Sequence, residues 1–66
     1  MALTINGEEV AAIGRPLADY LREAGYDDTR GFAVERNGEV IPKSRYASTI
    51  LRDGDRLEFV RCVAGG

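Results

Sequence analysis

The sequence predicts an α+β domain in which one helix covers one face of a mixed sheet. Three observations carry this reading. Two Asn-Gly pairs, Asn6-Gly7 and Asn37-Gly38, each stand between short alternating segments. This is the strongest local cue for a β-hairpin, because a type I′ turn needs positive φ at both central residues. Leu17, Tyr20, Leu21 and Ala24 recur at i, i+3, i+4 and i+7, which puts them on one stripe of a helix. A final alternating segment follows the tight turn Asp53-Gly54-Asp55, so the order is ββαββ, an irregular segment, then β.

Taken in order, the first hairpin is expected over about 2–5 and 8–12. The helix is expected over about 16–24, with Pro16 at its first position, where no amide donor is needed, and Gly25 as a left-handed cap. The second hairpin runs from Phe32 to Arg36 and from Glu39 to Ile41, and Pro42, which cannot donate to a ladder, closes it. Residues 43–50 lack alternation and predict a short helical turn from which Tyr46 and Ile50 dip into the core. The last strand is expected from Arg56 to about Cys62, with Leu57 and Phe59 on one face and Glu58, Val60 and Cys62 on the other.

Composition narrows the function. A chain of 66 residues makes one domain that buries only about 60% of its unfolded surface, so a deep catalytic cleft is not expected. With 44% hydrophobic residues and a net charge of -2, the chain reads as a globular domain without the basic footprint of a nucleic-acid binder. No apolar run approaches the roughly 20 residues of a membrane span, and the N-terminus lacks the marks of a signal peptide, so a cytoplasmic protein without a membrane partner is expected. Cys62 has no partner cysteine and histidine is absent. A disulfide framework, a cysteine/histidine zinc site and a histidine-based triad therefore fail on inventory.

The end of the sequence, Val63-Ala64-Gly65-Gly66, points to chemistry. A free α-carboxyl has a pKa of about 3.3–3.7 and is ionised and unreactive at neutral pH. Adenylation would supply a leaving group and open the acyl carbon to a sulfur or amine nucleophile. Paired glycines let backbone enter a channel too narrow for a Cβ. Four extended residues reach roughly 13–14 Å, enough to cross the wall of another protein's active site.

Several pieces of the chain together resemble the ThiS sulfur carriers of thiamine biosynthesis. They are Asn37-Gly38-Glu39-Val40-Ile41-Pro42, Arg45-Tyr46, Leu51-Arg52-Asp53-Gly54-Asp55, Leu57-Glu58-Phe59-Val60 and the closing Val63-Ala64-Gly65-Gly66. The resemblance covers the whole chain and departs at Arg15-Pro16, which stands where a Thr or Ser helix cap is expected. It implies a ubiquitin-like β-grasp domain over residues 1–62, with the final strand central beside the first, and a flexible tail over 63–66. It further implies that Gly66 is adenylated by an E1-like adenylyltransferase and becomes a thiocarboxylate whose sulfur goes to thiazole synthase. On this reading the chain is a co-substrate rather than an enzyme and is a monomer when free. It binds no cofactor itself, ATP and Mg²⁺ belong to the adenylating partner, and a sulfur donor such as a cysteine desulfurase stands upstream. MoaD-like carriers serving molybdopterin share the tail but tend to be longer and to lack the Asn-Gly-Glu-Val-Ile-Pro stretch. A ubiquitin-like modifier or plain binding module is the alternative from another class.

The remaining candidates have plainer readings. Cys62 reads as a small apolar residue rather than a sulfur relay. Asp53 and Asp55 read as turn residues, since a calcium loop needs a longer run of oxygen ligands. Asp27 and Asp28 read as solvated carboxylates in a loop, and Tyr20 and Tyr46 as core or core-edge residues. The outward sheet face, expected to carry Ala33, Val60 and Cys62, is the candidate docking surface, and Val63, Ala64, Gly65 and Gly66 form the segment entering a partner.

Overall fold

The computed structural model describes residues 2–26 and 31–61. Strands β1 (Leu3–Ile5) and β2 (Glu8–Val10) are followed by helix α1 (Leu17–Glu23), β3 (Phe32–Arg36), β4 (Glu39–Ile41), a 3₁₀ turn over Lys43–Ser48, and β5 (Arg56–Arg61). The sheet has the order β2-β1-β5-β3-β4. The last strand lies at its centre, parallel to β1 and antiparallel to β3. This is the mixed five-stranded sheet with one main helix that defines the β-grasp arrangement expected from the sequence.

Both hairpins turn at their Asn-Gly pairs. Asn6 and Gly7 have φ of 52° and 85°, and Asn37 and Gly38 have 52° and 88°, the double left-handed geometry of a type I′ turn. The first hairpin is shorter than expected because the chain leaves the sheet after Val10. Ala12 is nonetheless buried, as Gly14 donates to the Leu51 carbonyl at 2.7 Å and the segment folds onto the core.

The seven residues of α1 are too few for a stable isolated helix, so its ends and its packing must hold it. Pro16 is extended, with φ −65° and ψ 142°, and stands at the N-cap rather than at the first helical position. It forms a bridge with Ile50, and the Leu17 amide donates to the Thr49 carbonyl at 2.7 Å. The missing Ser or Thr cap is thereby replaced by a tertiary contact. At the other end Tyr26 N donates to the Leu21 carbonyl and Gly25 N to that of Arg22, a Schellman motif with Gly25 at φ 93°. Ala24 falls at the C-cap and is exposed, so the buried stripe of α1 is Leu17 and Leu21, with Ala18 and Tyr20 half-buried.

The core joins Leu17 and Leu21 of α1 to Leu3, Ile5, Phe32, Val34, Ile41 and Leu57 of the sheet, closed by Tyr46 and Leu51. Ile50 was expected to dip inward beside Tyr46, but it is half-buried and Leu51, fully buried, takes the core position. The reason is local. Thr49 turns extended after the 3₁₀ segment, with φ −88° and ψ 112°, and Ile50 is held by its bridge with Pro16.

Candidate functional site

Alternation along the central strand divides its side chains cleanly. Leu57 and Phe59 face α1, whereas Arg56, Glu58 and Val60 face the open side of the sheet. Register places Ala33 opposite Val60 and Glu35 opposite both Glu58 on β5 and Val40 on β4. The open face therefore carries an apolar edge near the exit of β5 and carboxylates at its middle. Val60 is 43% exposed and Val40 64%, while Ala33 is half-buried.

Of the candidates named from sequence, Ala33 and Val60 are brought together as cross-strand partners on this face. Cys62, Val63, Ala64, Gly65 and Gly66 lie outside the described residues, as do Asp27 and Asp28. Val40 was missed as a face residue, although strand parity with the inward Ile41 signals it. The face-to-face pairing of Glu35 and Glu58 needs the β3 to β5 register and could not be read from either strand alone.

Polar side chains from both hairpin turns hold the backbone of β5, Asn37 at its start and Asn6 further along. Asn6 Oδ1 accepts from the Phe59 amide at 2.9 Å, and Asn37 Oδ1 accepts from the Arg56 amide at 3.0 Å. Asp55 is 8% exposed, and its carboxylate accepts from the Arg52 amide at 3.0 Å and from Asn37 Nδ2 at 3.3 Å, with Arg36 Nη1 3.6 Å away. Asp55 is thus the turn residue expected from sequence, and its carboxylate is in addition a buried acceptor that locks the turn into β5. Among the described residues no group of three or more metal-ligating side chains converges.

The end of β5 is held by rings. Phe59 meets Tyr26 edge-on at 5.3 Å between centroids and Phe32 at 5.4 Å, and Tyr26 stacks on Phe32 at 5.2 Å. Tyr20 lies 6.3 Å from Phe59, and the Arg61 guanidinium stands 5.4 Å over the Phe32 ring. Tyr20 is accordingly a core-edge residue and Tyr46 a core residue. The strand that precedes residues 63–66 is fixed on its helix side by packing and left open on the other.

A β-grasp sheet with its last strand central, anchored from one side and exposed on the other, defines a small ubiquitin-like domain that presents one strand and one face. Comparisons narrow this class. The model of the ThiS family matches residues 2–66, and the chain belongs to that family. The crystal structure of a thiamine biosynthesis protein, ThiS, from Geobacter metallireducens is similar with a TM-score of 0.81 and 30% identity over 100% of both chains. The solution structure of a thiamine biosynthesis protein from the same organism has a TM-score of 0.71 and 30% identity over 100% of this chain and 88% of that one. Proteins named thiazole synthase from Paramagnetospirillum magneticum and Magnetococcus marinus are 46% and 33% identical over the whole of this chain. The chain spans 20% of the length of each of these two relatives.

Proposed function

We propose that the chain is a sulfur carrier for the thiazole ring of thiamine and acts as a protein co-substrate rather than as a catalyst. An E1-like adenylyltransferase, using ATP and Mg²⁺, joins the Gly66 carboxylate to AMP and releases pyrophosphate. The terminal sulfur of a persulfide formed on a donor such as a cysteine desulfurase then attacks the acyl carbon and expels AMP, giving an acyl disulfide. A thiol cleaves its S–S bond, leaving a new disulfide on the donor side and the thiocarboxylate on Gly66. That sulfur is delivered to thiazole synthase. The carrier contributes the acyl group, the reach of Val63, Ala64, Gly65 and Gly66, and a docking face built on Ala33, Val60 and Cys62.

The observation that carries this reading is the end-to-end match to the Geobacter ThiS structure. The similarity to proteins named thiazole synthase supports the choice of sulfur acceptor. The absence of histidine removes the most common general base, which fits a chain that is acted upon.

Intact mass after incubation with ATP, Mg²⁺, an adenylating enzyme and a sulfur source tests the proposal. The expected result is the increment for exchange of one oxygen for sulfur, lost when Gly66 is deleted or followed by one added residue. Thiocarboxylate formation that persists in the extended chain overturns it. Cys62→Ser is expected to accept sulfur as the parent does.

A further inference from the structure

The open face carries a feature that its fold does not need. Glu35 and Glu58 stand directly opposite each other on adjacent strands, and like charges in that position destabilise a sheet. Neither carboxylate makes an ion pair or hydrogen bond among the described residues. Arg56, two positions before Glu58 on the same face, forms no ion pair with either of them. Arg36, next to Glu35 in sequence, is turned toward Asp55 and the Ile50 carbonyl. Violations of a local rule without a partner inside the fold belong at functional positions.

The surroundings identify what the pair would meet. The two carboxylates line an open depression of about 670 Å³ flanked by the Asn6-Gly7 and Asn37-Gly38 turns. On its other side the pair borders Val60, Ala33 and Val40, the apolar part of the face. Glu58 is three residues before Arg61, about 10 Å along the strand, so the pair lies within reach of a protein engaged with the segment after β5.

We propose that the Glu35–Glu58 pair receives a guanidinium or ammonium side chain of thiazole synthase, set beside an apolar patch that covers Val60 and Ala33. This rests on the docking face of the function proposed above and adds its charge chemistry. A single cation between the two strands relieves the repulsion and satisfies both carboxylates on binding, so the pair favours the complex over the free carrier. The contact supplies register and encounter rate as well as affinity.

The test is titration of the full chain with purified thiazole synthase at about 50 and 500 mM NaCl, where screening lengths differ several-fold, alongside urea unfolding of each variant. Glu35→Gln/Glu58→Gln is expected to weaken binding about tenfold at low salt, to lose most of the salt dependence, and to unfold at higher urea than the parent. Opposite signs for binding and stability distinguish a docking role from a structural one. Val60→Glu is the reference for the face itself. Weakening by Val60→Glu with unchanged binding of the double glutamine variant overturns the charge assignment and leaves the docking face standing. No effect from either overturns the face and the assignment with it, and lower stability in the double glutamine variant makes the pair structural.

Discussion

The two ends of β5 are held by different physics. At its start, Asn37 and Asp55 accept from the Arg56 and Arg52 amides and bond each other, while Asn6 accepts from the Phe59 amide further along the strand. At its end, Tyr20, Tyr26, Phe32 and Phe59 pack edge to face, with Arg61 over one ring. Hydrogen bonds of this kind contribute about 0.5–1.5 kcal/mol each but have strict geometry, whereas buried aromatic rings contribute more and tolerate small displacements. The start of the strand therefore sets register, and its end supplies anchorage. Register matters here because a slip of one residue would turn Leu57 and Phe59 to solvent and Glu58 and Val60 into the core. Anchorage matters because any pull on residues 62–66 is transmitted first to Arg61 and Phe59.

The largest effect is expected at the anchored end. Phe32 is 4% exposed and touches both Tyr26 and Phe59, so Phe32→Ala should cost about 3–5 kcal/mol. A domain of this size has roughly 3–10 kcal/mol in total, so the variant should be largely unfolded in mild urea. Circular dichroism during urea titration measures this. A loss below that of the polar variants described next would break the comparison, because anchorage would then not reside in the rings.

At the polar end the expected losses are smaller and local. Asn37→Gly keeps the left-handed φ of 52° without strain but removes the bonds to the Arg56 amide and the Asp55 carboxylate. About 1–2 kcal/mol should be lost. Amide hydrogen exchange at Arg56 should quicken while that at Val60 stays near the parent rate. Equal acceleration at both amides would show that the two ends do not act separately.

How much of this was legible in the sequence follows the same division. The turns were legible because Asn-Gly is nearly unique in accepting positive φ twice, and the second hairpin was bounded residue for residue by that pair and Pro42. The helix was legible within a residue at each end, from its stripe and Gly25. What could not be read depends on contacts between distant segments. The capping of α1 by Thr49, the choice of Leu51 over Ile50 for the core and the burial of Asp55 are all set by tertiary packing. On the candidate face, Ala33 and Val60 followed from alternation alone, whereas the pairing of Glu35 with Glu58 follows only from register.

The smallest expected effect sharpens the comparison from outside the strand. Tyr46 is 6% exposed and its hydroxyl has no hydrogen-bond partner among the described residues, unlike the polar groups that clamp the start of β5. Burial raises its pKa above the ordinary 10.0, and the neighbouring Val34 backbone offsets this in part without reaching hydrogen-bond geometry. A proton held more tightly in the folded state than in the unfolded one gives stability that is complete below pH 10 and falls as pH rises through the higher folded value. Tyr46→Phe removes a desolvated hydroxyl that forms no bond, so the variant should match the parent or exceed it by up to about 1 kcal/mol at neutral pH. Its loss of stability above pH 10 should also be shallower. Urea unfolding at neutral pH and again above pH 10 measures both. A destabilisation at neutral pH comparable to that of Asn37→Gly would show that the hydroxyl is partnered in solution, and that polar groups in this fold count equally wherever they lie.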